Sequence, residues 1–455
     1  MYSQNKEMLY DFTDIPQSLL LNPGADTNFN YHIGIPLLSH ISLNVGIKGA
    51  SLFDVFSEDE DNINDKIAHT LNKLTNDDYL TITQQLEVFN FGWKANKRDD
   101  IYFSGGIYQE FDAIGYFPKD FSVLAYQGNQ DYVNEIFRFS KLRGNAELMM
   151  VYHFGLTKKV NKKLILGLRA KLYSSMFHVR SNKNKGFFTT LEVSDANNIY
   201  QHIISNADIT IKTSGYASLK EIYENEEDDG DKVDESINSL VGKSLLGGNL
   251  GFGIDLGGTF KLNNRTNITA SINDLGLIFY DKDIETYQIR GDYVFEGFDT
   301  PIQFSGQAAQ NFLDELEEAI SIDENNDPYI VMRPLKLNSS IRYSFNRYKN
   351  DNCNCFIKGE QLPFMDAFGA QVFMQFRPKR PQFAGSLFYL KRFFPFLRTK
   401  LTYTIDEYSY YNVGFVISAD INKINFYISA NNLLDYNNIV KARNISMQLG
   451  FNVIM

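Results

Sequence analysis

No run of about 18 consecutive apolar residues, the length that a transmembrane helix needs, occurs in this sequence of 455 residues. A helical membrane protein is therefore excluded. A transmembrane β-barrel passes the same test, because its strands show lipid only every second side chain and are mildly polar on average. Proline is also scarce, at 11 residues, and tryptophan occurs once, whereas 37 Phe and 27 Tyr give an aromatic content of 14%.

Positive charge is in short supply, since the formal net charge is −11. This excludes a nucleic-acid partner, which would leave a basic footprint on the sequence. Catalytic patterns are missing as well: the six histidines are scattered, and no HExxH, GxSxG or phosphate-binding loop occurs. We therefore expect no catalytic residues, no metal ligands, no cofactor and no enzymatic activity.

The only two cysteines, Cys353 and Cys355, are separated by a single residue. One CxC pair is a ligand pair short of a zinc site. Paired or free thiols in a loop are therefore the favoured interpretation.

The N-terminus has neither the charged n-region nor the apolar h-region of a signal peptide. We therefore expect a mature chain, located in a bacterial outer membrane, from which an export signal has been removed.

The sequence is rich in strict apolar–polar alternation over roughly 9 to 14 residues, which is typical of transmembrane strands. A soluble β-sandwich also alternates, but its strands are usually about five or six residues long. Residues 163–177 would form a strand roughly 50 Å long, which suits a tilted barrel strand. The clearest alternating segments are 33–47, 89–93, 101–107, 148–156, 164–176, 250–262, 268–272, 331–345 and 445–455.

The connections predict the topology of this barrel. Short turns alternate with long insertions, as expected for periplasmic turns and outer loops, and the count gives about fourteen antiparallel strands. Residues 31–455 are predicted to form one barrel after an N-terminal segment, residues 1–30. The strand-like segment 187–213 is either an extra membrane hairpin, giving sixteen strands, or a hairpin within an outer loop, which we favour. The long insertions lie at 48–84, 110–145, 178–248 and 280–330.

The long insertions carry local patterns of their own. Apolar residues at helical spacing predict short amphipathic helices within 63–74 and 307–320. The acidic run 221–235 lacks the spacing of a calcium-binding EF-hand loop, so a solvated outer loop is favoured over a Ca²⁺ site.

Alternation also assigns side chains to the two faces of the barrel wall. Leu166, Leu168, Leu449 and Phe451 are predicted to face lipid, with Gln448 and Asn452 on the opposite face. The last strand carries a candidate C-terminal strand signal, Leu449, Phe451, Val453 and Met455. The predicted lumen-facing polar residues are Arg169, Lys171, Lys336, Asn338 and Arg342.

Several short stretches form a recognisable set: 10–25 (YDFTDIPQSLLLNPGA), 251–257 (GFGIDLG), 271–276 (SINDLG), 426–433 (FYISANNL), 442–444 (ARN) and 449–455 (LGFNVIM). In these stretches the sequence resembles a family of uncharacterised Bacteroidota outer-membrane barrels. That family is similar to the FadL-type long-chain fatty-acid transporters and to the PorV and PorP/SprF barrels associated with type IX secretion and gliding. Two positions depart from the pattern: Asn431-Asn432 stands where Asp-Asn is expected, and the chain ends in Met455 rather than an aromatic residue.

In FadL-like barrels the N-terminal segment enters the lumen as a plug. The resemblance therefore implies that residues 8–28 form a plug, with Asn22, Pro23 and Gly24 as its turn. The alternative is a periplasmic tail lying under the barrel.

Two functions are compatible with these features. The first is a structural or assembly subunit of a cell-envelope complex, whose partners would be other outer-membrane or surface proteins and the lipid and lipopolysaccharide bilayer. The second is a FadL-like transporter of a small hydrophobic molecule, which needs an apolar pocket and a lateral opening. The predicted cations in the lumen favour the first, although a carboxylate headgroup would also bind Arg or Lys.

Overall fold

The computed structural model is a closed antiparallel barrel of fourteen strands, which confirms the fold predicted from alternation. It describes residues 8–27, 29–51, 54, 62–95, 100–195, 198–225, 228–295, 322–347, 364–436 and 442–455. Within these residues no helix is both long and apolar enough to span a membrane.

The described residues form 21 strand segments and five α-helices, with short 3₁₀ turns that include Gln130–Tyr132 and Phe139–Lys141. The helices are α1 Ser18–Leu21, α2 Ile63–Lys73, α3 Lys119–Gln127, α4 Tyr216–Asn225 and α5 Asp229–Ser244. The first strands are β1 Tyr31–Gly34, β2 Ile41–Lys48, β3 Tyr79–Lys94, β4 Ile101–Tyr116, β5 Phe137–Arg138, β6 Gly144–Lys159, β7 Leu164–Ser181, β8 Lys185–Asp195, β9 Asn198–Ser214 and β10 Asn249–Lys261. The others are β11 Thr266–Tyr280, β12 Ile284–Phe295, β13 Ile322–Asn325, β14 Tyr329–Met332, β15 Lys336–Arg347, β16 Phe364–Gln375, β17 Gln382–Phe394, β18 Leu397–Ile405, β19 Asn412–Ile421, β20 Ile424–Ala430 and β21 Asn444–Ile454.

Two barrel positions are each built from two consecutive segments. β1 and β2 together pair with β21 on one side and β3 on the other, which closes the barrel. β14 and β15 likewise share the place beside β11. The alternating residues 33–47 therefore form one interrupted barrel strand. The order around the wall is β1/β2, β3, β4, β6, β7, β10, β11, β14/β15, β16, β17, β18, β19, β20 and β21.

The wall has an apolar outside and a polar inside because successive side chains of a strand point to opposite faces. On β17, Phe383 and Leu387 are more than half exposed, whereas Gln382 and Ser386 are buried. Exposed apolar side chains on the outside are expected where lipid replaces water.

Bulges shift this alternation at several places in the wall, and three of them bear on the lumen-facing residues. One lies between Glu87 and Phe89 of β3, where Glu87 is buried and Phe89 is exposed. Another separates Ile254 from Leu256 in the pairing of β10 with β11. The third lies at the start of the β6–β7 pairing, after Leu148. Each extra residue changes which of the following side chains face the lumen.

The remaining elements form a layer beyond the long-loop end of the barrel. Residues 187–213 belong to the β8–β9 hairpin, which pairs with β12 and with the last residues of β7. The hairpin is outside the closed sheet, so the count stays at fourteen. In the same layer, Leu71 and Leu74 at the end of α2 pack with Val123 of α3.

The acidic segment 221–235 lies in the insertion between β9 and β10 and is largely exposed, as predicted, but it is helical rather than irregular. Its described residues belong to α4, to α5 and to the N-cap of α5, where the side chain of Asp228 accepts a hydrogen bond from the Gly230 amide at 2.7 Å. An N-terminal aspartate and an acidic first turn favour a helix, because they complement its free amides and dipole.

Candidate functional site

The N-terminal segment lies inside the barrel at residues 8–27, which we call the plug. Its backbone is bound by the wall around α1: Ser271 Oγ donates to the Leu21 carbonyl at 2.7 Å. Asn273 Nδ2 and Arg169 Nη1 both donate to the Leu20 carbonyl, at 3.3 and 3.1 Å. These contacts satisfy carbonyls near the end of the short helix that lack partners within it.

The predicted turn at Asn22, Pro23 and Gly24 rests against the wall near the short-turn end. The Asn22 side-chain oxygen accepts from the Gly24 amide at 2.9 Å, which closes the turn. Thr157 Oγ donates to the Pro23 carbonyl at 2.5 Å, and Thr259 Oγ donates to the Gly24 carbonyl at 2.8 Å. The turn therefore binds the wall through its own backbone.

Glycines in the wall make room for this turn. A Cβ atom at Gly167 would overlap the Pro23 carbonyl, and one at Gly257 would overlap the Asn22 side chain. Gly24 itself lies against the backbone of Gly257. Close approach of two backbones requires such small residues.

Above the turn, the lumen holds a network of paired charges. Lys171 Nζ bridges Asp255 at 2.9 Å and Asp274 at 2.6 Å. Lys336 Nζ bridges Asp274 at 2.7 Å and Glu110 at 3.4 Å. Burial of such charges is tolerated only when each has an opposite charge and hydrogen bonds.

Two arginines extend this network in opposite directions. Arg169 binds Asp255 at 3.3 Å and also the Leu19 carbonyl of the plug. Arg333 donates to Glu110 at 3.1 Å and to Glu147. The network therefore runs from the plug towards the long-loop end.

The other predicted lumen residues contact the first part of the plug. Arg342 forms an ion pair with Asp11 at 3.1 Å and also donates to its carbonyl at 3.0 Å. Tyr10 OH donates to the Asn338 carbonyl at 3.4 Å. Asn338, Arg169 and Lys336 therefore all lie on the inner face. Arg169 and Lys336 belong to the charge network, whereas Asn338 contacts Tyr10 of the plug.

The acidic members of the network escaped sequence reasoning. Glu110, Glu147 and Asp255 stand at inward positions of alternating strands. The odd–even alternation of inward and outward residues would therefore have identified them as partners for the predicted cations. Asp274 and Glu87 lie next to bulges, where the odd–even alternation no longer predicts the face on which a side chain lies. Glu87 accepts a hydrogen bond from Gln17 of the plug at 3.0 Å.

A small cavity remains where the plug meets the charge network. It has a volume of about 40 Å³ and lies beside Leu20 and Leu21 of the plug and between Lys171, Asp274 and Lys336 of the wall. This volume holds roughly three water molecules. Larger recesses of about 230 and 220 Å³ lie beside Phe12 and Asp14 of the plug and beside Glu147 and Arg333 of the wall.

A shallow groove lies on the lipid-facing side of β3, β4, β6 and β7. Phe89, Phe91 and Phe154 line it, and His153 and Lys171 also border it. The groove passes Gly106, where a Cβ atom would come within 3.1 Å of His153 Nε2. Both ring nitrogens of His153 lack a hydrogen-bond partner among the described residues. His153 therefore packs against a part of the wall where Gly106 has no side chain.

The C-terminal strand closes the barrel through its pairing with β20 and β1/β2. Leu449, Phe451 and Val453 are partly exposed on its outer face, and the Phe451 ring lies 4.9 Å from that of Phe426. The carbonyl of Met455 accepts from the Asn30 amide at 2.7 Å and the Tyr31 amide at 3.0 Å. The last residue therefore binds the first barrel strand.

Some predictions fall outside the part of the chain that the structure describes: the cysteine pair Cys353 and Cys355, and the helix at 307–320. Among the described residues, no group of three His, Cys, Asp or Glu side chains is arranged to hold a metal ion.

Three solved structures have a similar course of the chain and are distant in sequence. The toluene transporter TbuX of Ralstonia pickettii has 10% identity and a TM-score of 0.41, with 97% of this chain and 94% of that chain covered. The toluene transporter TodX of Pseudomonas putida has 11% identity and a TM-score of 0.39, with 96% and 92% covered. A FadL homologue of Pseudomonas aeruginosa has 9% identity and a TM-score of 0.40, also with 96% and 92% covered.

No curated protein matches the sequence. One family model does, DUF5723, which is described as a family of unknown function and matches residues 23–431. The chain therefore belongs to the DUF5723 family.

Proposed function

We propose that this protein is a plugged outer-membrane channel for a small hydrophobic molecule, and not an enzyme. The observation that carries the proposal is the aromatic groove of Phe89, Phe91 and Phe154 on the lipid-facing wall, which also borders His153 and Lys171. A structural subunit needs no such groove. The long-loop end faces the cell exterior in this proposal, as is the rule for barrels with short periplasmic turns.

The plug supplies the gate in this proposal. Hydrogen bonds and ion pairs hold it, such as Gln17 to Asn452 at 2.9 Å and Arg392 to Asp14 at 3.1 Å. Polar contacts of this kind exchange with water at little net cost. Opening also exposes the apolar side chains of the plug, such as Phe12 and Ile15, which pack against the wall. A shift of the plug would join the groove to the short-turn end.

Filling the groove tests the proposal. Ala170 lies among its lining residues and is exposed on the outer face, so Ala170→Trp obstructs the passage without entering the lumen. Uptake of a labelled monoaromatic hydrocarbon or long-chain fatty acid by cells carrying this variant should fall towards that of cells without the protein. The matched control is Gly385→Trp, an exposed position on β17 where a Cβ atom meets no heavy atom within 4 Å. Equal uptake by the two variants would contradict the channel.

The assembly subunit remains a second candidate function, favoured by the layer of strands and helices beyond the barrel. Its hairpin β8–β9 and strand β12 form a sheet that the barrel itself does not require. Native purification followed by mass spectrometry separates the candidates, because a subunit retains partner proteins whereas a channel retains a small hydrophobic molecule.

A further inference from the structure

Helix α5 carries an apolar stripe that no described part of the chain covers. Val233, Ile237 and Val241 follow one another at a spacing of four residues and are each more than half exposed. Residues four apart lie on the same side of a helix. The stripe continues beyond the helix into Leu245 and Leu246, which are also exposed.

The other two sides of α5 are accounted for. Lys232, Ser236, Ser239 and Leu240 are partly buried on the side that packs on the protein. The third side is polar and exposed, with Asp231, Asp234, Glu235 and Asn238. The helix is therefore amphipathic, and its apolar side lies between the packed side and the acidic side.

The C-terminal end of α5 is fixed to the outside of the barrel wall. Ser174 Oγ donates to the Lys243 carbonyl and Tyr152 OH donates to the Ser244 carbonyl, both at 2.9 Å. Ser174 and Tyr152 belong to the lipid-facing series of β7 and β6, since they alternate with the inward-facing Tyr173 and Val151. The helix thus ends on the lipid side of the wall.

The level of this attachment is the upper border of the apolar belt. Ser174 is in register with Leu250, from which exposed apolar side chains continue through Phe252 and Ile254 towards the short-turn end. Leu245 and Leu246 connect the stripe of α5 to this belt along the chain. The stripe is therefore continuous with the surface that contacts lipid.

An ion pair holds the helix in this position. Lys243 Nζ lies 2.5 Å from Asp283 and 2.8 Å from Ser218 Oγ. Burial raises the pKa of Asp283, but hydrogen bonds from Lys243 and Ser218 outweigh it and hold that pKa below its ordinary value of 3.8. The anchor is therefore charged at neutral pH.

We propose that α5 is an interfacial helix, whose apolar stripe is buried in the hydrocarbon of the outer leaflet beside the barrel. A helix with a strong polar side and an apolar side lies in the plane of such an interface. Exposed apolar surface of this kind on a water-facing loop would be unfavourable, whereas next to the lipid belt it is solvated by acyl chains.

Tryptophan fluorescence tests the proposal in the full-length folded protein. The chain has a single tryptophan, Trp93, so Trp93→Phe provides a silent background. Ile237→Trp then reports on the stripe, and Glu235→Trp on the acidic side is the matched control. Both variants are reconstituted into vesicles of equal parts phosphatidylethanolamine and phosphatidylglycerol, with or without brominated acyl chains. Folding is verified by electrophoresis, because a folded barrel migrates faster in the unheated sample than after heating has unfolded it.

We expect bromine to quench Ile237→Trp at least about twofold more than Glu235→Trp, because only the stripe reaches the hydrocarbon. Iodide in the buffer should quench the two in the reverse order. Equal quenching of both tryptophans by bromine would overturn the proposal. Protection of Ile237→Trp from bromine and iodide alike would also overturn it, in favour of a second protein covering the stripe.

Discussion

Lys171 illustrates how single residues determine the interior of this barrel. Its ammonium group lies between Asp255 and Asp274, which belong to neighbouring strands, and all three side chains are buried. Where side chains are buried away from bulk water an unpaired charge is costly, so each cation requires an anion at a defined place. The pairing therefore constrains the register of the strands that carry it.

The pairing predicts a large loss of stability when one partner is removed. Arg333 binds the carboxylates of Glu110 and Glu147, and its side chain is 1% exposed. Arg333→Met therefore removes a buried cation from both carboxylates. We expect the free energy of unfolding to fall by about 3–5 kcal/mol, as for other broken buried pairs. Urea unfolding in vesicles measures this value.

The control for this prediction is an exposed ion pair in the outer layer. Arg290 lies 3.8 Å from Asp208, and both side chains are exposed. Arg290→Met should change the free energy of unfolding by less than about 1 kcal/mol. A loss in Arg333→Met as small as in this control would show that water reaches the network.

At the scale of elements, alternation made the strands predictable and bulges made some of their side chains unpredictable. The apolar series of β7, with Leu166 and Leu168, lies on the outer face as the sequence indicates. On β3, however, the bulge before Phe89 places Glu87 in the lumen and the aromatic residues that follow outside. A period of two cannot reveal where one extra residue shifts its phase.

The outward position of β7 predicts a depth-dependent cost for charge. Leu168→Arg places a cation on the lipid-facing wall and should lower the free energy of unfolding by about 2–4 kcal/mol if it lies near the bilayer midplane. Ile421→Arg, at the exposed end of β19 beside a short turn, should cost about 0–1 kcal/mol. Urea unfolding in vesicles measures both, and the reverse order would mean that the membrane crosses the barrel elsewhere.

At the scale of the whole molecule, the barrel and its plug fold into one unit. The plug binds strands from all around the wall: Thr157 on β6, Thr259 on β10 and Lys400 on β18 each donate to its backbone. Lys400 Nζ reaches the Tyr10 carbonyl at 2.6 Å. These contacts join residues far apart in sequence, so all of them can form together only in the closed barrel.

The tight packing of the plug turn predicts that a single methyl group displaces it. In Gly167→Ala the new Cβ atom would overlap the Pro23 carbonyl, so the turn must leave the wall. We expect faster chymotrypsin cleavage within residues 8–12 of the folded barrel and a higher ion conductance in planar bilayers.

Gly115→Ala provides the comparison, because a Cβ atom at Gly115 meets nothing within 4 Å. It should retain the cleavage rate and conductance of the unmodified protein. If both variants behave alike, the turn at Asn22, Pro23 and Gly24 does not hold the plug closed.

The sequence by itself determined the class of fold, the approximate strand number and the face on which most wall residues lie. These follow from local physics, because a strand exposed to lipid must alternate and must be long enough to cross the bilayer. Arg169 and Lys171 were assignable to the lumen for the same reason. The strand-like segment 187–213 remained ambiguous, since its pattern alone does not say whether it joins the closed sheet.

Only the tertiary structure decided which groups meet. The partners of Arg169, namely Asp255 and the Leu19 carbonyl, come from distant parts of the chain, and no local pattern encodes that meeting. The same holds for α5, whose acidic sequence suggested a solvated loop. Its apolar stripe became interpretable once Ser174 and Tyr152 placed its end on the outer wall. Closure of the barrel creates these neighbours, because it alone fixes the distance between residues far apart in sequence.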